Sequence, residues 1–339
     1  MSTLFVALGD RLLVCQTDAQ QGGDWRVLST LESHELECVV ASPERPDRAF
    51  AGTFENGLVR VHAPTDGDDI SIEHLETSFV SDAVMSLAIS PHDPDVLYAG
   101  TEPSRIYRST DGGPSWTHLS DVTDLPSSDE WYFPPRPHTH HVRWLEVDPF
   151  DPDRLYVGIE AGAFVLSTDG GETWEERPAG SRRDNHTLAV HPDREGRVYT
   201  AAGDGYAESD DGGESWHQPQ DGLEHTYCWG LAVNPSDPDA VIVSSASGAS
   251  SAHRIDTAES YVYRKTDGEA WTRLDDRGLP MGAGVVRAVF DTTTGGSVYA
   301  LNNRGLFRSD DFGDHWERLQ LEWTDGYESQ TPRGLVVLE

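Results

Sequence analysis

Residues 167–174 read STDGGETW, and the architecture follows from this octet. The chain repeats it as STDGGPSW from Ser109, SDDGGESW from Ser209 and SDDFGDHW from Ser309, with a shorter copy, KTDGEAW, from Lys265. The third-position aspartates Asp111, Asp169, Asp211, Asp267 and Asp311 stand 58, 42, 56 and 44 residues apart. A period of roughly 40–50 residues marks a propeller or solenoid built from one supersecondary unit per repeat. The octet itself has the chemistry of a tight turn. A short carboxylate caps backbone N–H groups, glycine supplies a positive φ, and tryptophan offers a large packing surface.

A second phrase alternates with the first: SPERPDRAFAG, SPHDPDVLYAG, DPFDPDRLYVG, HPDREGRVYT and NPSDPDAVIVS. Each joins a strand end, a Pro/Asp turn and an alternating apolar strand. One unit, residues 141–178, thus predicts four strands, a to d, with the octet between c and d. First strands recur near 36–42, 83–89, 142–147, 185–190, 227–233 and 285–290. The N-terminal LFVALGDRLLVCQTD supplies strands b and c without an a, and the C-terminal PRGLVVLE supplies an a alone. Pairing the two ends completes one more blade and leaves no exposed sheet edge. The expectation is an all-β, seven-bladed β-propeller over residues 1–339, one domain, with eroded octets (QTDAQQGGDW and PTDGDD) in blades 1 and 2.

These repeats resemble the Asp-box (BNR-repeat) β-propellers, which include sialidases and photosystem II assembly-factor-like proteins. The resemblance implies that the Asp boxes are structural turns on the bottom face and that ligands bind at the opposite mouth. It does not extend to true sialidases, whose Arg-Ile-Pro motif is absent; Arg143, Arg287 and Arg333 are the residues that could mimic their arginine triad. The assembly-factor branch implies the alternative of a non-catalytic scaffold presenting its top face to a protein or glycan.

Alternating strand direction assigns every loop to a face. The two insertions, about 120–140 and 245–261, both fall on the top, where a rigid scaffold carries function. The first contains PPRPHTHHVRW, residues 134–144, with three histidines in four positions. Its prolines make a stiff lid expected to turn at least two of these imidazoles toward the axis. Aligning first strands puts Arg333, Glu37, Met85, Arg143, His186, Trp229 and Val286 at one level. His141, Asp184 and Tyr227 lie above it, with Glu160, Asp204, Tyr206 and His225 on neighbouring loops.

Such a mouth suits a hydrolase or lyase acting on a small polar or anionic molecule, glycan-derived ones included. His141 or His186 would be the base, oriented by Asp184 or Glu160. Arg143 and Arg333 would hold an anionic group, and Glu37, Tyr227, Trp229, Asp204, Tyr206 and His225 would line the site. A metal version has a divalent ion on His138, His140, His141 and His186. Trp131, Tyr132 and Phe133 on the lid could also anchor a protein partner or stack on a sugar.

Composition bounds these readings. The formal net charge is −34, with Lys265 as the lone lysine. Carboxylates dispersed in this way are expected of a protein kept soluble in molar salt, where the Debye length falls to about 3 Å. They argue against a nucleic-acid partner, which needs a basic face. No apolar run reaches the roughly 18 residues of a membrane span. The N-terminal stretch lacks a basic lead, and three distant cysteines make no disulfide framework, so a reducing cytoplasm is expected.

Overall fold

The computed structural model describes residues 2–17, 25–63, 70–266 and 268–339. Seven antiparallel sheets stand in a ring, a seven-bladed β-propeller with little helix. Blade 1 is closed as expected: Gly334–Leu338 pairs with Ser2–Ala7, followed by Leu12–Thr17 and Arg26–Thr30. Blade 4 shows the common pattern, Val142–Val147, Leu155–Ile159, Ala163–Ser167 and Glu175–Glu176. In blade 5 the fourth strand is reduced to one bridge, Glu208 with His217. Blade 6 gains a short fifth segment, Gly282–Ala283.

The blades pack face to face, so the apolar core lies in layers between them. Strands b are therefore buried on both sides, as in Leu155–Ile159. Between blades 4 and 5, Tyr156, Phe164, Leu188 and Trp216 form one such layer, and Trp216 meets Phe164 edge-on at 4.8 Å. Trp216 belongs to an Asp box, which explains the turn's position. Asp211 accepts from Ser209 Oγ and from the Ser215 N–H, at 2.8 Å each. Gly212 and Gly213 take φ values of 74° and 87°. A Cβ on Gly213 would stand 3.1 Å from Phe164 of the preceding blade. Asp111, Asp169 and Asp311 make the same bonds in their own boxes. Asp267 and most of the two eroded octets lie outside the described residues.

The seventh first strand departs from expectation. It runs Val289–Thr292 rather than from 285, because residues 285–288 leave the ladder. The second insertion folds here as a short helix, Ala249–His253, and its Ala252 carbonyl accepts the Arg287 N–H at 2.9 Å. The Val286 N–H goes to Asn303 Oδ1. These side bonds replace sheet pairing and advance the chain by one residue. Cys15 and Cys228 are buried and Cys38 is half-buried; all three are free thiols, pushed up to about 12 by burial. Among the described residues no helix is long and apolar enough to cross a membrane.

Candidate functional site

A local irregularity in the first strands builds the mouth. Pairing shifts by one residue between Leu36 and Cys38, Val84 and Ser86, Val142 and Trp144, and Asn185 and Thr187. The extra residues are Glu37, Met85, Arg143 and His186, the same residues that strand alignment placed at one level. An inserted residue re-aims its side chain out of the pleat. Blade 6 shifts across Trp229 and Gly230. In blade 7, Arg287 and not Val286 carries the polar group inward.

Two linked clusters result. In the first, Glu37 accepts from Arg143 at 3.4 Å and from Arg333 at 3.3 Å. Trp229 carries the guanidinium of Arg287 at 4.1 Å and that of Arg143 at 5.1 Å from its ring centre. Arg287 is fully buried, yet only its Nε has a partner, His253 Nδ1 at 3.2 Å; Nη1 and Nη2 have none. Burial, and then the charges of Arg333 and Arg143, push its pKa well down. His253 Nε2 meets the Tyr227 hydroxyl at 3.2 Å. Burial and the Arg287 charge hold this imidazole neutral.

The second cluster centres on Glu160. Its Oε2 lies 3.0 Å from His141 Nε2, and its Oε1 lies 4.0 Å from His186 Nε2. His141 Nδ1 stands 3.4 Å from Glu102, so the imidazole sits between two carboxylates. Burial lowers the His141 pKa, but Glu102 and Glu160 outweigh it and the net shift is upward. Glu160 follows the opposite logic: burial raises it, but His141, His186 and Arg143 hold it ionised. Asp184 is raised, by burial first and by the Glu160 charge, against the opposing pull of His186. His186 is wholly buried, stacked on Trp229 at 4.1 Å, with Nδ1 2.6 Å from the Cys228 carbonyl. Its Nε2, 3.7 Å from Asp184 Oδ1, has no hydrogen-bond partner. Gly203 closes the cluster, since a Cβ there would collide with Asp184 and press on His186.

Other expected site residues lie elsewhere. His138 is exposed, and His140 turns to Ser104 Oγ at 2.8 Å and to the edge of Trp131. One histidine of the lid, His141, reaches the axis, because alternation sends His140 to the other side of the chain. The four-histidine metal set is therefore not assembled. Trp131 is buried in the core and Phe133 packs on His141, leaving Tyr132 as the exposed lid aromatic. Tyr206 is a core residue bonded to Glu208. His225 stacks on Tyr261 and meets Tyr263, away from the axis. Asp204 is exposed and caps the Arg183 and Asp184 N–H groups. Sequence reading undervalued Glu102, His253 and Arg287; for Arg287 the signal was the neighbouring insertion.

The BNR/Asp-box repeat description matches residues 165–176, the third strand and box of blade 4. A xyloglucanase of Paenibacillus sp. is 29% identical over 303 residues, covering 79% of this chain and 28% of the relative. The chain thus spans about a quarter of the length of the curated relatives it matches. Among solved structures, the GH74 enzyme of Niastella koreensis superposes with a TM-score of 0.66 at 18% identity, covering 93% of this chain and 55% of its own. YCF48 bound to D1 peptide superposes with a TM-score of 0.57 at 13% identity, covering 89% and 92%. Together these matches support a propeller of the BNR type, similar to glycan-acting and peptide-binding proteins.

Proposed function

We propose that the mouth of the central channel is the active site of a glycosidase-like hydrolase for a small anionic, glycan-derived molecule. One observation carries this reading: Arg287 is buried with two donor groups unused. Burying a charge without a partner costs several kcal/mol, a cost that an arriving anion would offset. Arg143 and Arg333 share one carboxylate, Glu37, and Arg287 has none within hydrogen-bond distance, while Glu160 is matched by His141. A ligand carboxylate supplies the missing charge and fits the guanidinium fork. Tyr227, partly exposed beside the arginines, offers an aromatic surface for a sugar ring.

Beside the arginines, Glu160, Asp184 and His186 direct ligand atoms toward one point, all within 4.8 Å of one another. Acceptors converging in this way orient a water and take up its proton as it attacks. His141 acts as a positioning residue, fixing Glu160 from the far side. The xyloglucanase relatives make hydrolysis of a glycan-derived bond the favoured chemistry. The expected result is release of nitrophenol from 4-nitrophenyl β-D-glucuronide, in molar KCl, well above that from the glucoside. Glucuronate should bind by calorimetry and glucose should not; equal responses to both would remove the basis of this reading.

A second reading rests on a different observation. A cleft of about 540 Å³ opens beside the axis, lined by Phe54, Glu55, Asp82, Glu102 and His138 among others. Its carboxylates suit a basic peptide segment. Saturable binding of a basic peptide, lost in Asp82→Asn but kept in Arg287→Met, would favour this scaffold role over hydrolysis.

A further inference from the structure

We infer that Glu160, Asp184 and His186 form a binding site for one divalent first-row metal ion, with mixed nitrogen and oxygen coordination. The inference deepens the proposed active site but does not depend on hydrolysis, because ion binding is measured without substrate.

Three ligand atoms from two blades face one point. His186 Nε2 lies 3.7 Å from Asp184 Oδ1 and 4.0 Å from Glu160 Oε1. Ligands about 2.0–2.4 Å from a common ion, at tetrahedral or octahedral angles, stand roughly 3–4 Å apart. The separations are too long for direct hydrogen bonds and right for an ion between them.

Each ligand is also held in place by a neighbouring group. The Cys228 carbonyl takes the Nδ1–H of His186, which leaves Nε2 with its lone pair. His141 occupies Oε2 of Glu160, which leaves Oε1 toward the point. The Ala161 N–H donates at 2.7 Å to Asp184 Oδ1, the oxygen that faces His186, and so fixes its position while leaving its second lone pair; the backbone of Asp184 is capped in turn by Asp204. A carbonyl on the far nitrogen of an imidazole, and a donor on the second oxygen of a carboxylate as at Glu160, are supports that orient metal ligands. The unpartnered Nε2 is the second, independent sign. It is completely buried and aimed at two carboxylates, an arrangement that a cation satisfies at all three atoms at once. Asp184, with 29% of its side chain exposed, leaves one side of the site open to the mouth.

The donor set selects the ion. One imidazole with two carboxylates suits Mn²⁺, Co²⁺ or Zn²⁺ better than Ca²⁺ or Mg²⁺, which take mainly oxygen. This set replaces the expected one of three lid histidines and His186. His186 is common to both; Glu160 and Asp184 take the places of His138, His140 and His141.

The test is titration of the chelator-treated protein with Co²⁺ in molar KCl, which suppresses loose binding to the acidic surface. The visible spectrum should report one ion per chain with a nitrogen ligand. Asp184→Asn keeps its bond to Ala161 and so preserves the fold; it should weaken binding at least about tenfold, and His186→Gln should do the same. His138→Gln should leave affinity unchanged. Melting curves identify a variant that fails to fold, in which case Asp184→Asn carries the comparison alone. Weak uptake at many sites, unaltered by Asp184→Asn, would overturn the inference. So would an ion lost in His138→Gln or His140→Gln but kept in Asp184→Asn, since it would sit on the lid.

Discussion

The bottom and top of the propeller solve the same problem, polar groups beside a packed core, in opposite ways. In the Asp box from Ser209, Asp211 bonds to Ser209 two residues back and to Ser215 four residues on, and every bond closes within the turn. At the mouth, Glu37 bonds to Arg143 and Arg333, 106 and 296 residues away. In the boxes from Ser109, Ser167 and Ser209 no buried side-chain polar atom lacks a partner, and in the box from Ser309 Trp316 Nε1 alone does, whereas Arg287 Nη1 and Nη2 and His186 Nε2 gather unpartnered at the mouth. A carboxylate bonded within its own turn needs no further partner. A site built from several blades keeps bonding capacity in reserve for a ligand. The contrast extends to charge: the mouth gathers three arginines in a chain of net charge −34.

Four measurements would break or sharpen that contrast. Removing salt should have the largest effect, because it acts on the acidic exterior as a whole. Dialysis from molar to millimolar KCl should lower Tm by roughly 10 °C or more, as unscreened carboxylates repel. A Tm indifferent to salt would show that the exterior is not self-repelling.

The next effect belongs to the mouth alone. Arg287→Met should weaken glucuronate binding about 100-fold while leaving Tm unchanged or higher, because a buried charge with two unpartnered donor groups is removed. Loss of Tm with retained affinity would place Arg287 among structural residues and erase the distinction between the faces.

Acidity probes the lower channel. Burial, with the charge of Asp291, pushes Glu146 up to about 7 from an ordinary 4.5; burial pushes Asp291 up to about 7 as well. Trp144 Nε1 donates to Glu146, and the Val337 and Thr292 N–H groups donate to Asp291. Folded carboxyls with raised pKa bind protons that the unfolded chain has released. Stability should therefore fall as pH rises from about 4.5 through 7, and level off above it. Glu146→Gln should flatten part of that slope, as read by denaturant midpoints across pH.

The smallest effect should come from a single box. Asp169→Ala removes acceptors for Ser167 Oγ, the Thr173 N–H and Thr173 Oγ1. Losing one turn cap costs about 1 kcal/mol, or about 1–3 °C in a chain of this size, with glucuronate affinity unaltered. Selective loss of affinity instead would give the boxes a functional role.

The histidine-rich lid shows how far sequence reading reached into the site. Alternation correctly separated His140 from His141, and strand alignment placed Glu37, Arg143 and His186 at one level. It could not show that this level coincides with the inserted residue of each ladder, nor that His141 would be taken up by two carboxylates. Tyr206 and Trp131 read as mouth or surface aromatics, yet packing between blades claimed both. A side chain's inward or sideways course depends on the neighbouring blade, which no local pattern records.

The repeat by itself determined the fold. Its turn bonds span two to four residues, its strands alternate, and its two incomplete ends complement each other, so every signal is local or repeated. The tertiary structure alone decided the site. There a one-residue advance beside the helix Ala249–His253 set Arg287 in place of Val286 at the axis. Residues drawn from across the whole chain then met because the ring closes, and the bonds they lack were fixed by that closure.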